Sequence, residues 1–208
     1  MARRILKEIG AGTSWRSASE GAFGGGGSFG NGAAMRVAPL GAYFYHDLEK
    51  LVELASRSAR VTHSHREGVA GAIAVASATA SAVSSRGEIP DIAAGVVWEN
   101  VLRFTPESLV RQRLYEASGM PEAGAGEVAK TFGNGADISA QDTVPFCVWN
   151  ACRCLGDYRE ALLSAIEVDG DCDTNAAIVG DIVAGYGKRE GIPSDWLRVR
   201  EILSIGER

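Results

Sequence analysis

Residues Val168 to Gly187 read VDGDCDTNAAIVGDIVAGYG, and the two halves of that stretch follow different chemistry. The first half places Asp169, Asp171 and Asp173 within five positions and closes with Thr174 and Asn175, a hard-oxygen cluster of the kind Mg²⁺, Mn²⁺ or Ca²⁺ takes. The second half, with Ala176, Ala177, Ile178, Val179, Ile182, Val183 and Ala184, leaves no polar stripe. A helix there is expected to be buried, with Gly180 admitting a close neighbour. The stretch therefore delivers carboxylates to the buried end of a core helix. Like charges crowded at such a place repel one another and lose hydration, a cost that a cation offsets.

Two other readings compete with a metal. The Asp169, Asp171, Asp173, Asn175 spacing resembles the start of an EF-hand loop, but Thr174 stands where that loop needs Gly and Gly180 where it needs Glu, so that reading fails. The second is that these residues simply cap a helix, since Asp and Thr suit its N-terminus. One Asp suffices for that.

Working backward, Asp142 and Pro145 open one helix, with Asp142 as a capping residue or, alternatively, a remote contact to the metal site, and Asp157 with Glu160 boxes the start of the next. Pro121 to Ser139 reads as a Gly-rich connection. Its FGNG at Phe132–Gly135 repeats the tetrapeptide at Phe29–Gly32, yet the flanks do not match, so coincidence is expected rather than an internal repeat. Pro90 with Asp91 starts a helix, and Thr105 with Pro106 caps another. Ser64 with Glu67 forms a capping box for an Ala-rich helix running to about Ser84, and Asp47 to Arg60 is a further helix with a Glu53–Arg57 pair. Arg3 to Ile9 makes a short helix. After Gly187, a last amphipathic helix carries Trp196, Leu197, Val199 and Ile202. Strand alternation is missing over any useful length, so the class is all-α.

Gly21 to Gly32, GAFGGGGSFGNG, holds seven of the 26 glycines. A flexible linker is one reading, but Phe23, Phe29 and Met35 interleave with the glycines and need partners. The other reading is a backbone that a ligand approaches closely, because glycine-lined amides cradle anions. His63 and His65, at a helix start, read on their own as surface or capping residues.

Composition narrows the class. A chain of 208 residues with 46% apolar and 23% charged residues can bury a substantial core as one domain spanning residues 1–208. A net charge of -5 argues against a nucleic-acid partner. The apolar run Gly68–Ser85 is too rich in Ala, Ser and Gly to span a membrane convincingly, so no membrane partner is expected. Cys147, Cys152, Cys154 and Cys172 lack paired spacing, and Met1–Gly10 has no apolar core of seven residues, so reduced thiols and a cytoplasmic location are expected.

Four stretches share one resemblance. GDCDTNAAIVGDIVAGYG at Gly170–Gly187, GNGAAMRVAPL at Gly30–Leu40, THSHREGVAGAIAVA at Thr62–Ala76 and DTVPF at Asp142–Phe146 resemble motifs of the ADP-ribosylglycohydrolase family. The resemblance implies an orthogonal multi-helix bundle that binds ADP-ribose or ADP-ribosylated protein and hydrolyses the glycosidic bond at the ribose C1″. It implies that Asp171, Asp173 and Thr174 hold Mg²⁺, or alternatively Mn²⁺, with Asp171 and Asp173 serving catalysis. Gly27, Ser28, Phe29, Gly30, Asn31 and Gly32 then wrap the diphosphate and distal ribose, and Phe29 stacks on adenine. His63 contacts the substrate side of the cleft, while His65 is peripheral.

The resemblance starts at about Gly24 and also implies pieces that this sequence does not show. The family's first Gly-Asp helix and a Thr-Asp-Asp motif supply further metal ligands, whereas no Asp-Asp pair occurs in these 208 residues. The expectation is a member lacking its N-terminal part, with an incomplete two-metal site and a missing N-terminal half acting in trans. Asp169 stands where the family has a second Gly, adding charge beside the metal. A non-catalytic ADP-ribose or nucleotide-binding module and an inactive remnant remain as alternatives.

Overall fold

In the computed structural model, which describes residues 1–201, the chain folds into helices: α1 (Ala2–Gly10), α2 (Trp15–Glu20), α3 (Gly32–Met35), α4 (Ala38–Tyr43), α5 (Leu48–Arg60), α6 (Arg66–Ser84), α7 (Pro90–Phe104), α8 (Leu109–Ser118), α9 (Ala125–Phe132), α10 (Ala140–Arg153), α11 (Tyr158–Glu167), α12 (Cys172–Gly187) and α13 (Ser194–Val199). No strand occurs among the described residues, and the one isolated β-bridge joins Gly30 to Ser139. The all-α expectation holds. Ile202, expected in the last helix, lies outside the described residues.

The centre is α6 rather than α12. Every residue from Glu67 to Val83 is buried, and α3, α4, α5, α7, α10 and α12 all pack around it. Small residues make this possible. A Cβ on Gly71 would sit 2.8 Å from the Ala140 Cβ of α10, and one on Gly41 would overlap the α6 backbone at Ala76. By length and composition α6 could cross a membrane, but 94% of the relevant window is buried inside the protein, which makes it a core helix. Helix α12 joins the same core through Ile178, Val179, Ile182 and Val183. Ile5, Ala18 and Ala22, with Ile9 against them, form a separate small cluster that ties α1 to α2.

Several helix starts differ from the sequence expectation, at α6 because a distant partner intervenes. The α6 N-cap is His65, whose Nδ1 accepts from the Glu67 amide at 3.2 Å, while Ser64 donates to the Ser19 carbonyl at 3.0 Å. Glu67 is thereby free to cap another helix: its buried carboxylate accepts from the Leu109 and Val110 amides at 3.2 and 3.0 Å. At α8 the cap is Ser108, not Thr105. Helix α9 occupies the segment read as a loop. Helix α10 begins at Ala140, so Pro145 lies inside it, and the Gln141 carbonyl that Pro145 cannot serve accepts from Arg113 at 2.8 Å. Asp47, Pro90 and Asp157 start α5, α7 and α11 as expected.

Candidate functional site

The glycine segment folds over the start of α6 and meets the acidic loop on its far side. Gly27, at φ 71°, lies against Ser64 so closely that any Cβ would overlap its hydroxyl. Ser28 is buried and its hydroxyl accepts from the Gly30 amide at 3.3 Å. The chain then runs beside residues 138–140: Ala140 donates to the Phe29 carbonyl at 2.9 Å, and Asn31 donates to that of Ile138 at 3.2 Å. Phe29 stays 40% exposed, with Phe23 stacked at 6.1 Å and the His65 ring edge-on at 5.5 Å. Phe23 and residues 28–32, with Met1, Ala2, Met35, Arg36, His63, Asp137 and Ile138, line a cleft of about 550 Å³.

Asn31 is the joint. Its buried amide nitrogen donates to Asp171 Oδ2 at 2.7 Å and to Thr143 Oγ1 at 3.0 Å, tying the glycine segment to the acidic loop across 140 positions of sequence. Both amide hydrogens are committed, which leaves the Asn31 carbonyl oxygen free to accept from a ligand. Asp171 is the N-cap of α12, and its carboxylate faces both the first turn of that helix and the Asn31 amide. Burial acts to raise its pKa, and hydrogen bonds from Asn31, Asp173 and Thr174 outweigh that, holding the carboxyl below its ordinary value. Asp173 is exposed in the first turn; Thr174 is buried, its hydroxyl lying between the Asp171 carboxylate and the Met35 sulfur, which it meets at 3.5 Å. Asp169 takes φ 58°, left-handed backbone that favours Gly.

The second FGNG borders the acidic loop from the other side, a role that sequence reasoning missed. The Asp171 amide donates to the Asn134 carbonyl at 3.2 Å, and the buried Asn175 side chain donates to the same carbonyl at 2.7 Å. Asn134 also donates to the Val168 carbonyl at 2.9 Å, and Gly135 leaves room for Asp171, whose Cβ a methyl group there would meet at 2.7 Å. The repeated tetrapeptide was the available signal. Asp142, whose pKa burial raises, sits under Gly133 and accepts from the Asp137 amide at 3.0 Å.

His63 lies directly beneath the first tetrapeptide. A Cβ on Gly30 would stand 3.3 Å from its Nε2, and one on Gly32 3.3 Å from its Cε1. Burial, then the charges of Arg36 and the N-terminus, bring its pKa down to about 4, so the ring is neutral at pH 7. His65 touches Phe29 but otherwise caps α6. Cys147, Cys152 and Cys154 are buried free thiols, with Cys147 donating to the Asn175 side chain at 3.4 Å. Among the described residues no group of three or more His, Cys, Asp or Glu side chains forms a metal-binding cluster.

A fold of this class, with a glycine-lined cleft joined to a paired-aspartate loop, coincides with one family. The chain belongs to the ADP-ribosylglycohydrolase family, whose sequence profile matches residues 2–207. It is 27% identical over 200 residues to human ADP-ribosylhydrolase ARH3, covering 84% of this chain and 54% of that protein. An uncharacterised protein from Archaeoglobus fulgidus is 33% identical over 168 residues, covering 80% of this chain and 52% of its own length. A solved structure described as an ADP-ribosylglycohydrolase-related protein complex superposes with a TM-score of 0.70 at 25% identity, covering 96% of this chain and 62% of the other. The chain thus spans about half the length of these curated relatives. None of these comparisons supports a separate N-terminal half acting in trans.

Proposed function

We propose that this chain binds the ADP-ribosyl group in the cleft between Phe29 and the acidic loop and serves hydrolysis of its glycosidic bond. The observation that carries this reading is the Asn31 bridge, which sets a nucleotide-sized glycine cleft beside the carboxylate of Asp171 at 2.7 Å. Phe29, with Phe23 behind it, offers a face for adenine. The Gly30 and Asn31 amides are bonded within the protein, and the remaining amides of Ser28 to Gly32 suit diphosphate oxygens. His63 adds a neutral donor below them. Family membership makes the chain a hydrolase by class, and the ARH3 relatives are ADP-ribosylhydrolases by name.

Asp171, Asp173 and Thr174 fit Mg²⁺ or Mn²⁺ in kind: one carboxyl is held ionised, and one buried hydroxyl lies between it and the Met35 thioether. In number they fall short of six oxygens. They would hold a weakly bound, largely hydrated ion, which when present supplies Lewis-acid polarisation of ligand oxygens. The chain's own part is to keep Asp171 charged through Asn31 and to hold the ribose against it. Buried free thiols support a reducing, cytoplasmic setting.

Calorimetry with ADP-ribose, beside turnover of an ADP-ribosylated peptide with and without Mg²⁺, tests the reading. Binding together with Mg²⁺-dependent release is expected, and Asp173→Asn should abolish both release and any rise in melting temperature with Mg²⁺. Binding without release makes the chain a non-catalytic ADP-ribose module. Absence of binding by the folded chain sinks the proposal.

A further inference from the structure

We propose that Arg36 and Thr62 are positioning residues that fix His63 as the tautomer protonated on Nε2, so that its single N–H faces the ligand side of the cleft. This deepens the ADP-ribose reading and rests on it for the ligand, but not for the tautomer. The Arg36 guanidinium, at the end of α3, is spread over three acceptors. It donates to the Gly32 carbonyl at 3.1 Å, the Ser58 carbonyl of α5 at 3.0 Å and Thr62 Oγ1 at 2.8 Å. Thr62 Oγ1 lies 2.8 Å from His63 Nδ1, and both residues are buried.

The direction of that last bond follows from counting protons. Arginine is always a donor, so the bond from Arg36 uses a lone pair on the Thr62 oxygen. If His63 carried its proton on Nδ1, Thr62 would accept a second time and its own buried hydroxyl proton would need another acceptor. None is within reach of it among the described hydrogen bonds. If the proton is on Nε2, Thr62 donates to Nδ1 and every group is satisfied, which avoids a desolvation penalty. Nε2 has no protein partner among the described residues, lies against Gly30 and Gly32, and belongs to a ring that lines the cleft. Its N–H is thus available to an anionic oxygen of the bound diphosphate. A Gly32 carbonyl held by the same guanidinium keeps the loop in register with the ring.

Nitrogen-15 spectra of the ligand-free chain at pH 7 read the tautomer without any substrate. The expected result is one neutral form with Nε2 protonated, broken into a mixture by Thr62→Val and restored by Thr62→Ser. ADP-ribose affinity should fall about tenfold in Thr62→Val, the scale of one lost or misdirected hydrogen bond, and recover in Thr62→Ser. A native His63 protonated on Nδ1, or a Thr62→Val chain with tautomer and affinity unchanged, overturns the relay. A native chain with the Nε2 form that does not bind ADP-ribose upholds the relay and overturns the nucleotide reading instead.

Discussion

Phe29–Gly32 and Phe132–Gly135 are the same four residues, FGNG, and they border the same aspartate, yet they do opposite work. In the first, the phenyl ring is exposed to the cleft and the Asn side chain reaches Asp171. In the second, the phenyl ring is in the core, and it is the Asn backbone carbonyl that receives the Asp171 amide. The first faces a ligand and the second holds the loop. Their glycines differ in the same sense: the closing Gly32 opens α3 in ordinary helical backbone, whereas the closing Gly135 takes φ 88° against Asp171, and Gly133 before it ends α9 at φ 109° directly over Asp142. Identity of sequence therefore says nothing of role until burial is known.

The largest effect expected from this contrast comes from placing one methyl group in each tetrapeptide. Gly133→Ala would force an L-residue into left-handed backbone and drive its Cβ into the Asp142 carboxylate and carbonyl, costing about 4 kcal/mol or more in denaturant unfolding. Gly32→Ala meets only the edge of His63 at 3.3 Å, so stability should stay within about 1 kcal/mol while ADP-ribose affinity falls at least tenfold. Equal losses of stability would erase the distinction.

The groups beneath the two tetrapeptides give a second test, in pH. His63 has its pKa brought down to about 4, so between about pH 6.5 and 4 the unfolded chain holds a proton there that the folded chain does not. Stability should consequently decline as pH falls through that window, by about 3 kcal/mol from this residue. Asp142, whose pKa is raised, has the opposite sign: its folded form retains a proton longer, so acidification favours the fold at that site. Urea midpoints for the native chain and His63→Gln, taken from pH 7 to pH 4, should converge as the native chain loses its excess; parallel curves would show that His63 is not buried as described.

The aromatic pair separates the roles by a smaller margin. Phe29→Ala should weaken ADP-ribose binding by about 1–3 kcal/mol through lost stacking. It should leave the unfolding midpoint nearly unchanged, whereas Phe132→Ala, in the core, should do the reverse. Calorimetry and urea unfolding on both variants check this, and a Phe29→Ala chain with native affinity would remove adenine from that face.

Local chemistry made much of this legible in sequence. The small-residue helix after the acidic loop and the starts at Asp47, Pro90 and Asp157 depend on near neighbours, and the structure places them where their spacing implies, whereas the aspartates themselves do not crowd at a buried end: Asp169 and Asp173 are exposed and only Asp171 is part-buried. What escaped depends on partners far along the chain. Glu67 reads as a local capping box, but its carboxylate caps α8 more than forty residues on, at Val110. Ser64 is claimed by Ser19, and the carbonyl released by Pro145 is claimed by Arg113. The same holds for the site. Each loop could be recognised alone, but their union through Asn31 and Asp171 depends on α6 and α12 packing together, and no spacing encodes that.

The smallest expected effect concerns Asp169, where the acidic loop leaves α11. Its φ of 58° puts a β-carbon in backbone that L-residues occupy at a cost of about 1–2 kcal/mol, less for Asp because its short polar side chain bonds locally. Gly170 follows at φ 80°, so two consecutive residues turn through left-handed backbone while Asn134 holds the loop from below. Asp169→Gly should relieve that strain and also remove one charge from beside Asp171 and Asp173, while making the unfolded chain more flexible. The net gain is expected to be about 0.5 kcal/mol, seen as a higher urea midpoint with unchanged slope. Asp169→Ala separates the two contributions, because it removes the charge but keeps the β-carbon: it should be less stable than the Gly variant by about 1 kcal/mol. If the Ala and Gly variants instead gain equally, charge repulsion rather than backbone strain governs the loop, and the second tetrapeptide holds an electrostatic spring rather than a bent backbone.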